Sequence, residues 1–282
     1  MSALQEQQPD AALQRLVEQV QQARDAKQAL QIRGGGSKDF LGGPLQGQVL
    51  ETSELRGISS YEPTELVITV RAGTPLAEVE AALAERGQCL PFEPPRFGAG
   101  STIGGVVAAG LAGPSRAAVG GVRDFMLGAT MLNGRAEVLS FGGQVMKNVA
   151  GYDVSRLLAG SLGVLGVILE VSLKVLPTAP ATRTLRLDMG QAAALAKLNE
   201  WGGQPLPLHA SAWWDGTLVV RLSGAKAAVD AAHQKIGGEE IEPSMARAFW
   251  DGLRDQNDEF FQEALRATQE GASGGDTAFG PV

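Results

Sequence analysis

The sequence of 282 residues holds a single cysteine, Cys89, and only two histidines, His209 and His233. One cysteine excludes a disulfide framework and any iron–sulfur cluster ligated by this chain alone, so such a centre would sit on another subunit. The histidines stand apart, in HASAWWD and AAHQKIGG. They do not form the pair a catalytic metal takes in related chemistry, and no metal site is expected. Positive charge is also scarce: 24 Lys+Arg against 31 Asp+Glu leave a net charge of -7. That excludes the electrostatic footprint of a nucleic-acid binder or of an anionic-membrane binder. No segment approaches the roughly 18 to 20 apolar residues of a membrane span. The opening MSALQEQQPD has neither the basic start nor the apolar core of a secretory signal, so a cytoplasmic protein is expected.

Glycine, by contrast, is abundant: 37 residues, about 13% against a usual level of roughly 7%. No three-residue period runs through them, which excludes collagen. Sixteen fall between Gly98 and Gly166, and Gly34, Gly35 and Gly36 form the other dense cluster upstream.

Ahead of the first cluster, Leu13, Leu16, Val17 and Val20 follow helical spacing behind Asp10, a suitable N-cap. LVITV at Leu66 to Val70 reads as a buried strand. Thr74 and Pro75 read as N-cap and first residue of a helix carrying Leu76, Val79 and Leu83, which stops at Gly87. A second apolar run, Phe125 to Leu132, meets AEVLSF through Asn133-Gly134, a hairpin signal. From Val167 to Val175 the apolar residues fall on odd positions, with Glu170, Ser172 and Lys174 on a wet face. Pro177 and Pro180 bracket the best candidate linker. Beyond it the order strand, helix, two strands, helix, strand fits a ferredoxin-like domain, followed by a helical piece through Phe249 and Trp250. The small, polar end, EGASGGDTAFGPV, is expected to be unstructured.

RGGGSK matches neither the P-loop nor the dinucleotide fingerprint, yet three glycines present consecutive backbone amides to an anion such as a diphosphate. GAGSTIGGVVAAG reads as a loop entering a helix with Gly104 and Gly105 in its first turn, where bare amides attract phosphate. Tight turns and close helix packing are the alternative reading of each segment taken singly. In the order RGGGSK, VRAGTPLAEVEAAL, FEPP, STIGGVVAAGLAG and LAGSLGVLGVILEVSLKVLP, residues 30 to 177 resemble the FAD-binding domain of the PCMH-type (vanillyl-alcohol-oxidase-like) flavoproteins. MKNVAGYDVSRLLAGSLGVLGV resembles the FAD subunits of bacterial glycolate oxidases within that family, and FWDGLR is similar to their smaller, E-type subunit.

The resemblance implies an α+β fold: a two-subdomain FAD-binding domain over residues 1–178, then a ferredoxin-like cap over 179–282. Relatives usually run further, so the cap is expected to be shortened at its C-terminus. It also implies roles. Arg33, Gly34, Gly35, Gly36, Ser37 and Lys38 would wrap the FAD diphosphate. Gly100, Ser101, Thr102, Gly104 and Gly105 would lie along diphosphate and flavin. Gly160, Ser161, Gly163, Gly166, Val167 and Ile168 would line the adenine and ribose end or flank the flavin. Some relatives attach FAD through a histidine where this chain has Ser37 or Lys38, so noncovalent FAD is expected.

The implied activity is oxidation of a small 2-hydroxy acid such as glycolate by a multi-subunit complex. Its partners would be a catalytic FAD subunit and an iron–sulfur subunit, with electrons passing on to a membrane acceptor and peripheral attachment at the inner membrane through those partners. Such chemistry needs a base and a cation for the substrate carboxylate. The histidines do not suit it, His233 reading as an exposed group near a helix end. Arg116, Arg123 and Lys147 are the catalytic candidates, each with a solvated surface role as the alternative. Tyr152 reads as packing and Asp153 as the cap of VSRLLAG. Of Trp213 and Trp214, only one can be in the core, the other being exposed or at an interface. Phe249, Trp250, Phe260 and Phe261 pack the last helix or form a partner surface.

Overall fold

The computed structural model describes residues 10–41, 46–143 and 152–274. Lys147 therefore lies outside the described residues. The chain divides into two compact units, residues 1–111 with 120–178, and residues 112–119 with 179–282.

In the first unit, α1 (Ala11–Ala26) begins where Asp10 Oδ1 accepts from the amides of Ala12 and Leu13 at 3.1 and 3.4 Å. Strand β1 (Leu30–Arg33) pairs in parallel with β2 (Gln48–Glu51). There follow β3 (Ile58–Glu62), β4 (Val67–Arg71), α2 (Leu76–Ala84), β5 (Gln88–Cys89) and α3 (Ile103–Ala109). After α4 (Arg116–Val119), which groups with the second unit, come α5 (Val122–Phe125), β6 (Met126–Leu132), β7 (Val138–Gly142), α6 (Val154–Leu157), β8 (Val167–Lys174) and β9 (Leu176–Pro177). Five strands form an antiparallel sheet in the order β3-β4-β8-β6-β7. Leu16 and Val20 of α1 bury against Leu50, Leu55, Leu132, Val167 and Leu169, so one helix stripe joins the small parallel pair to the larger sheet.

Three local readings are corrected by tertiary contacts. Thr74 does not cap α2. Its buried hydroxyl donates to Arg71 O at 2.7 Å and accepts from Gly57 N at 2.9 Å, and Pro75 takes the N-cap position. The turn between β6 and β7 is not a two-residue Asn-Gly turn. It spans residues 133–137, with Asn133 Oδ1 accepting from the amides of Arg135 and Glu137 at 2.8 and 3.0 Å and Ala136 at φ +63°. The plain alternation along β8 breaks at a bulge. The register passes from Thr130↔Glu170 to Met131↔Ile168, so Leu169 is extra and Val167, Ile168 and Leu169 are all buried. Asp153 does cap α6, accepting from the Arg156 amide at 3.3 Å, and Tyr152 is exposed rather than packed.

The second unit contains β10 (Ala181–Asp188), α7 (Gln191–Gly202), β11 (Leu208–Trp214), β12 (Thr217–Gly224), α8 (Lys226–Ile236) and β13 (Glu239–Glu240). The sheet order β11-β12-β10-β13, antiparallel throughout, is the ferredoxin-like arrangement. Leu185, Leu218, Val220 and Leu222 pack with Ala194 and Trp201 of α7 and Val229 and Ala232 of α8. On the opposite face α9 (Pro243–Asp255) buries Trp250 against Ala210 and Val219. Neither Trp213 nor Trp214 reaches the core, because β11 is an edge strand; they are 36% and 50% exposed. Helix α10 (Glu259–Gly274) runs on through EGASG, part of the tail expected to be unstructured, and residues 275–282 lie outside the described residues.

Candidate functional site

The first glycine cluster begins where β1 stops. Arg33 O accepts from both the amide and the hydroxyl of Thr52, at 2.9 and 3.1 Å, which ends the parallel pairing. The chain then turns through Gly36 at φ +70°, a left-handed conformation that favours glycine. Arg33 folds back over this turn, its guanidinium 2.7 Å from Asp39. Arg33 thus braces its own loop. Among the described residues, the amides of Gly34, Gly35 and Gly36 make no hydrogen bond, which leaves consecutive N–H groups for an anion.

The two clusters meet backbone to backbone. A Cβ on Gly35 would lie 1.5 Å from Gly100 O, and one on Gly34 would lie 2.7 Å from Thr102 Oγ1. Lys38 ties the same segments together, its Nζ donating to the buried Ser101 Oγ at 2.9 Å and to Ser37 Oγ at 3.3 Å. The ammonium lies 5.7 Å from the Phe97 ring centroid.

Helix α3 does not present the bare amides that its sequence implies. Ile103 N–H donates to Thr74 O at 3.0 Å, Gly104 N–H to Ala72 O at 2.8 Å and Gly105 N–H to Thr102 Oγ1 at 3.2 Å. Gly104 is therefore a packing glycine, with its missing Cβ 2.7 Å from that of Ala72. Gly105 differs: within 4 Å an added Cβ would meet only Thr102 Oγ1, at 3.3 Å, and Gly105 lines two cavities.

The third segment fastens to the end of α3. Gly160 and Leu162 N–H donate to Val107 O and Ala108 O at 3.0 and 2.9 Å. Gly110, the left-handed C-cap, leaves only 2.7 Å between an added Cβ and Gly160 N. Gly163 faces Ile32, and Gly166 faces Met131 and Leu132. Among the described residues, the buried Ser161 hydroxyl has no hydrogen-bond partner. Val167 and Ile168, neighbours on β8, point opposite ways: Val167 joins the core beneath α1, whereas Ile168 lines a cavity.

Two cavities result, one of about 150 Å³ along residues 33–39 and one of about 80 Å³ reaching Gly163, Gly166 and Ile168. Both are lined by Ile32, Gly34, Gly105, Ala108 and Leu162. Thr52 and Ala72 also line the smaller one. Ala108 was legible as the next turn of the Gly104 and Gly105 face; Ala72 and Leu162 lie within quoted motifs but were not singled out, and Ile32 and Thr52 lie outside them. Arg116 and Arg123 are not brought here. Arg116 is exposed on α4 of the second unit and Arg123 exposed on α5, and neither lines these cavities. Cys89 is also remote in chemistry: burial, and then Glu93, push its thiol pKa up, keeping it protonated.

FAD fits this arrangement on the structure's own terms: glycine surfaces without Cβ atoms, unengaged amides for a diphosphate, and an unpartnered Ser161 hydroxyl. These features define an FAD-binding domain, and the family model described as FAD binding domain matches residues 11–142. Glycolate oxidase subunit GlcE of Escherichia coli (strain K12) is 50% identical over 248 residues, 88% of this chain and 70% of that protein. The chain belongs to the FAD-binding family that contains this GlcE subunit. Glycolate oxidase subunit GlcD of Bacillus subtilis (strain 168) is 31% identical over 54% of this chain and 33% of its own length. Among solved structures, alkyldihydroxyacetonephosphate synthase superposes with a TM-score of 0.67 at 16% identity, over 88% of this chain and 54% of that one, a likeness of fold. No helix among the described residues is long and apolar enough to cross a membrane.

A charge reversal tests the first cluster. Lys38→Glu removes the ammonium between Ser37 and Ser101 and places a carboxylate beside the expected diphosphate. FAD affinity is expected to fall by about 10- to 100-fold, the range of one or two charge-assisted hydrogen bonds. Fluorescence titration of apoprotein with FAD checks it, and Lys38→Arg should keep most of the affinity.

Proposed function

We propose that this chain is the FAD-carrying subunit of a multi-subunit 2-hydroxy-acid dehydrogenase acting on glycolate, assembled with a catalytic flavoprotein and an iron–sulfur subunit. The observation that carries the reading is the glycine cradle around Gly34, Gly35, Gly36 and Gly105 on a chain half-identical to a glycolate oxidase subunit. Residues 1–178 form the FAD domain and 179–282 the cap, with 112–119 contributed to the cap unit.

Bound FAD supplies a two-electron acceptor. The amides of residues 34–36 and the Lys38 ammonium hold its diphosphate, Gly105 gives it room, and Ile32, Leu162 and Ile168 exclude water from its edges. Attachment is noncovalent, since Ser37 and Lys38 stand where covalently attached relatives carry histidine. Both histidines of the chain fall in the second unit, and Arg123 lies off the cradle. The base for the substrate hydroxyl and the carboxylate clamp therefore belong to the sister flavoprotein, and this subunit relays electrons.

The test is anoxic spectroscopy of the purified chain. A yellow protein that releases all its FAD on acid precipitation, and whose flavin is bleached by glycolate only after partner subunits are added, is the expected result. Bleaching without partners would show a stand-alone oxidase, and a colourless chain unable to take up FAD would show a structural subunit.

A further inference from the structure

The second unit contains a cavity of about 450 Å³ that the cofactor reading does not use, bordered by the β11–β12 turn, α9 and the start of α10. Its volume falls within the range of small-molecule sites, roughly 300 to 1,000 Å³. Aromatics make up only 5% of the sequence, yet five line this one cavity: Trp213, Trp214, Phe249, Phe260 and Phe261. Trp214 and Phe260 are 50% and 51% exposed, so these rings are open to a ligand rather than spent on the core.

The rings are held in place before any ligand arrives. The Trp213 indole Nε1–H donates to Met189 O at 2.9 Å. Phe249 lies edge-on to the buried Trp250, their centroids 4.9 Å apart, and Phe260 meets Phe261 in the same way at 5.2 Å. The face of an aromatic ring is its negative side and attracts a cation.

Charge in the lining has the matching sign. Three charged residues border the cavity, Arg186, Asp215 and Asp258. Arg186 lies 3.5 Å from Asp188, which balances it from outside the lining. Asp215 sits at φ +46° in the turn, beside Gly216 at φ +79°, and its carboxylate makes no hydrogen bond or ion pair among the described residues. Asp258 caps the start of α10, one carboxylate oxygen accepting from the Phe261 amide at 3.3 Å, and forms no ion pair among the described residues. Two carboxylates beside five rings favour a cation with apolar substituents over an anion or a neutral body.

We propose that this cavity binds a small, soluble organic ammonium ion. Its charge lies against the indoles of Trp213 and Trp214 and the carboxylates of Asp215 and Asp258, and its alkyl groups lie on Phe249 and Phe260. The site lies within the second unit and stands whether or not the cofactor reading holds.

The experiment is calorimetric titration of the full chain as purified, at low salt, with choline and with its neutral carbon isostere, dimethylbutanol. Choline is expected to bind with a dissociation constant of about 1 mM or below, and at least about tenfold more tightly than the isostere. Trp214→Ala, at a half-exposed position, should weaken choline about tenfold, and Asp215→Asn, which the turn tolerates, about threefold or more. Arg186→Gln should tighten choline about twofold or more by removing the one cation of the lining, a gain that a merely structural role would not produce. The chain should not co-sediment with phosphatidylcholine vesicles. Isostere binding as tight as that of choline would remove the charge from the proposal, and weaker choline binding in Arg186→Gln would contradict the charge arrangement. Co-sedimentation with the vesicles would assign the cavity to a lipid headgroup instead of a soluble ligand. Absent choline binding, or affinity unchanged in both Trp214→Ala and Asp215→Asn, would overturn the site itself.

Discussion

Gly35→Ala is expected to yield a chain that retains almost no FAD. The added Cβ would sit 1.5 Å from Gly100 O and 2.4 Å from Gly100 C, so no side-chain rotation relieves it. The obstacle is backbone, and one of the two loops must move. Overpacking of this kind costs about 1 to 3 kcal/mol where neighbours yield, and more where they do not. Displacing the loop also misdirects the amides of residues 34–36, so cofactor retention suffers more than folding. The flavin-to-protein absorbance ratio after gel filtration is expected to drop by about tenfold or more. Gly100→Ala, whose Cβ would meet Gly35 O at 2.7 Å, should act in the same direction more mildly. Gly202→Ala is the matched control, with nothing within 4 Å of the added Cβ. A Gly35→Ala protein with full flavin content would remove the cradle assignment.

Trp250→Ala is expected to destabilise the second unit by about 3 to 5 kcal/mol, the range for truncating a buried tryptophan. Three losses coincide: apolar contact with Ala210 and Val219, the ring beneath Arg221, and the donor to Thr184, whose hydroxyl is itself buried. An unsatisfied buried hydroxyl alone costs about 1 to 3 kcal/mol. Trp250→Phe should therefore show a smaller loss, keeping most packing but not the hydrogen bond. Denaturant unfolding, with proteolysis to locate the loosened segment, measures both. FAD content should stay near that of the unchanged chain, because the cradle is built wholly from the first unit. Equal loss of flavin and stability would show that the two units fold as one.

Much of the fold was legible because its signals are local. Apolar spacing behind Asp10 marks α1, the linker prolines mark the start of the second unit, and strand and helix order after them describes the ferredoxin-like sheet. The Asn-Gly turn was placed correctly but its length was not, because Asn133 organises five residues through its own side chain rather than leaving a two-residue turn. The bulge at Leu169 was hidden for a similar reason, since only pairing with β6 reveals an extra residue.

By itself the sequence pointed to three glycine-rich segments and to backbone, rather than side chains, as the expected grip on a ligand. Glycine is recognisable without a structure. What each glycine is for was decided only in three dimensions. Gly35, Gly100 and Gly104 exist because backbone crosses backbone or lies against Ala72, whereas Gly105 leaves space toward a cavity. The amides at the start of α3 are closed by Thr74, Ala72 and Thr102, so among the described residues of these two glycine clusters the amides without a hydrogen bond are those of Gly34, Gly35 and Gly36 after β1. Thr102 is a local N-cap, but Thr74 and Ala72 lie far upstream and leave no trace in local spacing, and so the tertiary structure alone separates the glycines that pack from those that leave space or amides open.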